Sequence, residues 1–271
     1  MKRIKNLAAL CLSAATVAGC LFVPANTVRA DRHIINKVTF PDANFRAFVK
    51  NNIDANGNSY IDDDEIENTV SIDCPKLEIA SLEGIEYFYN LEKLLAPYNL
   101  LEEVDLSENP KLNYLDLGYN EISSIDFSKN SELTHIYMRG NKLETVDVSN
   151  NLKLTHLILD SNQLEEVDVS ALENLEALNV SKNKLRRLDV SNNTSLIELY
   201  CYNNQLSGKL LLNNNMFLKV LKCYLNDDIT TIEFNCPFLR TLDIRSTGCV
   251  NLDYSQFPSL QTLYLSNRET Q

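Results

Sequence analysis

Six residues able to offer oxygen to a cation fall within the segment DANGNSYIDDDE, Asp54 to Glu65, at the spacing of a twelve-residue calcium loop. Asp54, Asn56 and Asn58 supply side-chain oxygens at loop positions one, three and five. Tyr60 offers its backbone carbonyl at seven, Asp62 serves nine, and Glu65 is placed as the bidentate carboxylate at twelve. Ser59 departs from the pattern: glycine normally makes the sharp turn at six, and serine must take a positive φ there at some cost. Two readings stay open, one calcium ion held weakly or a vestigial loop that only caps the rest of the chain.

The other reactive residues are thinly spread. There are three histidines, of which His135 and His156 lie 21 residues apart, and no Ser-His-Asp or Cys-His set can be assigned from spacing. As a metal pair they want a third ligand, Asp116 or Asp160; as polar decoration they want none. Five cysteines follow residue 30 (Cys74, Cys201, Cys223, Cys236 and Cys249), an odd count that gives no disulfide framework. Cys201 and Cys223 read as small buried hydrophobes. No catalytic residues are expected, and the chain reads as a non-enzyme.

What must position these residues is a repeat. The phrase Leu-x-x-Leu-x-Leu-x-x-Asn recurs nine times, two copies degenerate, and its asparagines fall at 99, 120, 141, 162, 183 and 204, a constant step of 21. The next comes at Asn226, one residue late. Alternation such as Leu154, Leu157, Leu159 is that of a half-buried strand. One such strand cannot bury its own apolar face, but stacked copies can, and a fixed period in the twenties marks a leucine-rich repeat solenoid. The fold expected is an α/β-type solenoid, mostly β and irregular, with a curved parallel sheet on its concave face. The asparagines should form a ladder serving backbone groups left unpaired by the turn. The second half of each repeat carries Asp105, Asp126, Asp147, Asp168 and Asp189, an outward row tied into local turns or holding a line of cations.

Bulk charge narrows the partners. The chain has 25 basic and 37 acidic residues; the first thirty hold four basic and no acidic ones, so 21 against 37 remain beyond them, a formal charge of −16. Nucleic acid and anionic lipid are therefore poor partners. Residues 1–30 have the parts of an export signal: Lys2, Arg3 and Lys5, an apolar run from Leu7 to Val23, then Pro24 and a cleavage site before Asp31. Lipoprotein processing at Cys20 is the alternative, disfavoured because the apolar run continues through Val23. No later stretch is long enough to insert in a membrane. The organisation expected is a signal peptide at 1–30, a small helical cap at 31–80 and repeats at 81–271.

The run from FPDANFRAFVKNNIDANGNSYIDDDE to GIEYFYNLEKL, followed by 21-residue repeats, resembles the secreted leucine-rich repeat proteins of Gram-positive gut bacteria, in which an EF-hand-like segment precedes the repeats. More distantly it is similar to the internalins. The resemblance implies a secreted or surface-exposed binding module, with Asp54, Asn56, Asn58, Asp62 and Glu65 as calcium candidates.

Positions three, five and seven of each phrase should face the concave side. Down the stack they read Tyr114, Asp116, His135, Tyr137, Arg139, His156, Asp160, Tyr200, Tyr202, Lys222, Tyr224, Asp243, Arg245 and Tyr264, with Tyr119 at the rim. Tyrosine and arginine are enriched at binding hot spots, so this face is expected to take a protein or glycan; a structural spacer with no dedicated ligand is the alternative. Arg139 beside Asp160, and Lys222 beside Asp243, should pair from rung to rung. The C-terminal coil, YLSNRETQ, has no evident polar cap and could self-associate.

Overall fold

The computed structural model describes residues 32–249 and 252–265. The expected export signal, the Cys20 alternative and the end of the C-terminal coil lie outside them. Asp31–Gln271 forms one compact unit.

The first elements are short. β1 (His33–Ile34) leads to α1 (Ala43–Asn52), then β2 (Tyr60–Ile61) and α2 (Asp63–Asn68). Asp42 caps α1, its carboxylate accepting from the Asn44 and Phe45 amides. Phe45 and Val49 turn inward from that helix and join Phe40, Ile61 and Phe88 in a fully buried cluster. β2 pairs antiparallel with β1, Ile61 opposite His33.

Ten strands then form a single parallel sheet, and β10 with β12 a second. In chain order they are β3 (Ser71–Asp73), β4 (Lys93–Leu95), β5 (Tyr114–Asp116), β6 (His135–Tyr137), β7 (His156–Ile158), β8 (Ala177–Asn179), β9 (Glu198–Tyr200), β10 (Gly208–Leu212), β11 (Val220–Lys222), β12 (Ile229–Phe234), β13 (Thr241–Asp243) and β14 (Thr262–Tyr264). The sheet thus begins at Ser71, inside the segment assigned from sequence to the cap. Ser71-Ile72-Asp73 lacks the phrase's leucines but pairs with β4 in the common register.

From β3 to β13 the strands of the long sheet put their middle leucine or isoleucine inward, and Leu263 of the last strand is exposed. Leu94, Leu115, Leu157, Leu178, Leu199, Leu221 and Leu242 are all fully buried, as are the Cys201 and Cys223 side chains in the row beyond them. Burial of one such leucine is worth about 1.5–3 kcal/mol. All five cysteines among the described residues are free thiols, and burial pushes those of Cys74 and Cys201 up to about 12.

The asparagine ladder forms as expected. Asn141 Nδ2 donates to the carbonyls of Leu117 (3.0 Å) and Met138 (3.1 Å), while its Oδ1 accepts from the Ile122 amide at 3.0 Å. A second ladder was not read from the sequence. Asn109, Asn130, Asn151, Asn193 and Asn215 are fully buried, and their Nδ2 groups donate backwards to two carbonyls each, as Asn151 does to Phe127 (3.2 Å) and Asn130 (2.9 Å). Leu172 interrupts this ladder, and Cys236 ends it with Sγ 3.4 Å from the Asn215 carbonyl.

The convex aspartates resolve as local turns. Asp105, Asp126, Asp147, Asp168 and Asp189 each accept from the amide of the serine two residues on, at 2.7–2.9 Å. These hydrogen bonds hold their carboxyls below the usual aspartate range. The extra residue of the seventh phrase falls between Asn204 and Asn215, where β10 forms and its pairing with β12 shifts register beside Gly208.

Candidate binding face

The alternation that buries Leu115 turns Tyr114 and Asp116 to the open side of the sheet, and the parallel register stacks each such residue on its counterpart one coil away. His135 pairs with Tyr114 and with His156 in this way. The rings follow the backbone: Tyr114 to His135 is 5.1 Å between centroids, and His135 to His156 is 4.5 Å at 10°. Tyr137 lies 5.4 Å from Tyr114, and its hydroxyl is pushed up to about 12 by burial and by its hydrogen bond to Tyr114.

The histidine tautomers follow from their neighbours. Thr134 Oγ1 donates to the Asn113 carbonyl and Thr155 Oγ1 to that of Thr134, so each hydroxyl can only accept from its histidine Nδ1, 2.9 Å away. The neutral rings therefore carry the proton on Nδ1 and keep Nε2 as an acceptor. Burial, then the charge of His156, lowers the pKa of His135, against a smaller opposing pull from Glu176. Neither proposed third ligand joins the pair. Asp116 accepts from the Gly118 amide at 2.9 Å, and Asp160 is taken by Arg139.

Arg139 Nε sits 2.9 and 3.0 Å from the two Asp160 oxygens, the rung-to-rung pair expected. Asn179 Nδ2 donates to Asp160 Oδ1 at 3.1 Å, and Ser181 Oγ donates to Asn179 Oδ1 at 2.6 Å. The second expected pair does not form. Asp243 is held by Arg245 of its own coil, Nε at 2.9 Å and Nη2 at 2.7 Å, because the two stand two residues apart on the same face. Lys222 instead lies over the Tyr200 ring, 5.5 Å from its centroid.

The C-terminal half of the face gathers four tyrosines. Tyr202 stacks on Tyr224 at 4.4 Å and 5°, and Arg245 lies 5.1 Å from both the Tyr224 and Tyr264 rings. Tyr200 donates its hydroxyl to Glu198 at 3.0 Å; burial and that carboxylate push it up to about 12. Between these tyrosines and His156 the face dips over Ala177 and Asn179 into an open cleft of about 870 Å³. The sequence reading passed over Ala177 and Glu198. The signal was present, since a small residue at phrase position three sits between His156 and Glu198. Tyr119 stands at the rim as expected, stacked on Tyr98 at 4.4 Å.

The loop residues lie apart from this face, and their side chains meet. Asp62 Oδ2 accepts from Asn56 Nδ2 (2.9 Å) and Asn58 Nδ2 (2.8 Å). Asp54 accepts from the amides of Asn58 and Ser59, and Asn58 Oδ1 accepts from the amide of Tyr60. Glu65 accepts from the Ala55, Asn56 and Asp62 amides, closing a capping box on α2. Ser59 takes φ 65°, the conformation required at the sixth position. Arg32 stands 2.9 Å from Asp62 Oδ1, and hydrogen bonds from Asn56 and Asn58 lead in lowering the Asp62 pKa. Among the described residues no three histidine, cysteine or acidic side chains are grouped closely enough to hold a metal.

The repeat phrase, the parallel sheet and the asparagine ladder together define a leucine-rich repeat solenoid protein. It is distantly similar to the internalins. A 70-residue stretch is 34% identical to internalin J of Listeria monocytogenes, covering 26% of this chain and 8% of that protein. The solved functional domain of internalin J, described as including a cysteine ladder, superposes with a TM-score of 0.61 at 25% identity, over 89% of this chain and 72% of that one. Internalin C2 of the same species shares the fold at TM-score 0.64 and 17% identity, over 87% and 97% of the two chains. A leucine-rich repeat protein of Leptospira interrogans does so at 0.63 and 22%, over 74% and 55%. No protein-family model matches the chain.

Proposed function

We propose that this is an exported binding module whose open sheet face, from Tyr114 to Tyr264, recognises a protein. The observation that carries this reading is the way the aromatic rings are covered. His135 lies on His156 and Tyr202 on Tyr224, while Lys93 covers Tyr114, Lys222 covers Tyr200 and Arg245 covers Tyr224 and Tyr264. A sugar docks by laying its C–H face on an open aromatic face, and here at least one face of each of these rings is already covered. Ring edges and hydroxyls remain, which suit the mixed apolar and polar surface of a polypeptide. The similarity to internalins supports the same coarse class, a protein-binding module.

The test is capture by the immobilised chain beginning at Asp31, from fractionated surface proteins and on a glycan array. A captured protein should bind Tyr200→Ala/Tyr202→Ala more weakly by about 2 kcal/mol or more, and Asp147→Ala on the opposite side with unchanged affinity. Capture that survives the double change moves the site elsewhere. Binding only to glycans overturns the choice of partner, and no binding at all favours the structural spacer.

A second reading concerns Asp54 to Glu65, which we propose holds one calcium ion. It is supported by the positive φ of Ser59 and by the close approach of Asn56 and Asn58 to Asp62, whose Oδ2 now accepts from their Nδ2 groups at 2.9 and 2.8 Å. Bound calcium would supply charge neutralisation among Asp54, Asp62 and Glu65 and tie α1 to α2. Millimolar calcium should raise the melting temperature of the parent and leave that of Glu65→Gln unmoved. No rise in the parent leaves the loop as a cap held by Arg32 and the capping box.

A further inference from the structure

Each coil climbs from the second asparagine ladder into the next strand along one flank of the solenoid, and that flank is polar through most of its length. Two residues beyond the ladder position stand Lys111, Glu132, Lys153, Asn174 and Ser195. Lys111 Nζ donates to Asn90 at 2.6 Å, and Lys153 pairs with Glu132 at 2.6 Å. In the next two coils the same position holds Phe217 and Phe238. With Met216 beside them, they are 51%, 49% and 44% exposed.

The two phenylalanines occupy matching places on adjacent coils. Cys236 Sγ meets the Asn215 carbonyl on one side of them, and the Arg240 amide donates to the Lys219 carbonyl at 2.8 Å on the other. Both ends of the segment are thus in register, and neighbouring coils lie about 4.8 Å apart. The flank also turns basic here. Phrase position two, held by Asn113, Thr134, Thr155, Glu176 and Ile197 upstream, carries Lys219 and Arg240, and neither forms an ion pair among the described residues. A chain with 37 acidic and 25 basic residues has placed two cations outside any ion pair, each two residues on from an exposed phenylalanine.

We propose that Phe217, Phe238 and Met216, with Lys219 and Arg240, form a docking strip for an acidic polypeptide segment that carries apolar side chains. Exposed aromatic surface kept next to unpaired charge marks an interaction site, and the charge selects a carboxylate-bearing partner. An anionic bilayer offers the same chemistry but meets the whole molecule, whose 37 acidic residues repel it. A peptide meets only the strip. The phenylalanines of the strip lie on the flank, and phrase position two borders the sheet-face cleft at Glu176 and Ile197 in the coils before.

The experiment selects phage-displayed random dodecapeptides on the immobilised chain beginning at Asp31, then measures an enriched peptide by fluorescence anisotropy. Enriched peptides should combine Asp or Glu with large apolar residues. Phe217→Ser/Phe238→Ser and Lys219→Glu/Arg240→Glu should each weaken binding about tenfold or more, while Tyr200→Ala/Tyr202→Ala leaves it unchanged. Unaltered thermal unfolding of the variants shows that the fold is kept. The proposal is overturned if enriched peptides are basic or bind all variants alike, or if none is enriched. It is equally overturned if only phosphatidylglycerol vesicles bind the strip.

Discussion

The Tyr119 ring lies directly against Gly140, where an added Cβ would stand 2.7 Å from the ring Cδ1. Gly140 holds φ 65°, so this one position answers two constraints. It sits in a column of left-handed residues, each preceding a ladder asparagine, that also contains Tyr98, Tyr119, Ser161, Lys182, Asn203 and Leu225, and that Ser246 continues before Thr247. Its neighbours show that the column tolerates side chains, so the ring is what singles Gly140 out. Gly140→Ala should destabilise the protein by more than the ~1 kcal/mol of the backbone term, and Tyr119→Ala should recover the excess. A double-mutant cycle in urea measures the coupling; strict additivity would mean that the ring moves aside freely.

The two ladders should differ in what a single change costs. Asn141→Ala removes donated bonds to Leu117, Met138 and, at 3.4 Å, Arg139, and one accepted bond, whereas Asn151→Ala removes only two donated ones, its Oδ1 accepting nothing from the protein. A buried backbone group left unpaired costs about 1–3 kcal/mol. Urea midpoints should fall in the order parent, Asn151→Ala, Asn141→Ala. Equal losses would mean that water fills both gaps.

Histidine 135 supplies a pH test. Its folded pKa is lowered by burial and by His156, so the unfolded chain binds this proton more readily. The stability it contributes is whole above the ordinary histidine value of about 6.5 and is lost as pH falls from there through the lowered folded value. Nuclear magnetic resonance should show the His135 ring titrating below that value, and His156→Gln should bring it closer. A titration at or above the ordinary value would mean that the stack is open to water.

The buried thiols should be silent in the folded protein. Burial pushes Cys201 up to about 12 and raises Cys223 well above its usual range, while Cys249 is only half-buried. A thiol reagent at pH 8 should label Cys249 first and reach Cys201 and Cys223 only with denaturant. Rapid labelling of Cys201 in buffer would contradict the packing.

The repeated half of the fold was legible because a 21-residue step leaves each inward leucine one place to go, on the leucine of the coil before it. Asn141 and its counterparts were legible for the same reason. Asn151 was missed because its ladder runs past Leu172 and ends on Cys236, so the period is broken twice. The partner of Asp243 was missed because phrase position sets the face of a side chain and not its reach, and Arg245 on the same strand end wins over Lys222 on the coil before. The loop at Asp54 was readable to the level of its turn, since Ser59 adopts the positive φ that the spacing demands. Whether an ion sits there depends on a balance with Arg32 that no spacing encodes.

Asn141 reaches carbonyls 3 and 24 residues behind it, and Asn162 repeats both distances. This translational symmetry makes the coils interchangeable. Excision of residues 121–141 would bring Asn162 onto the Leu117 carbonyl that Asn141 now serves, so the ladder would close, while Asp160 would lose its Arg139 partner. Recognition in such a chain can change by whole coils, duplicated or lost, while the ladder that joins them keeps its spacing.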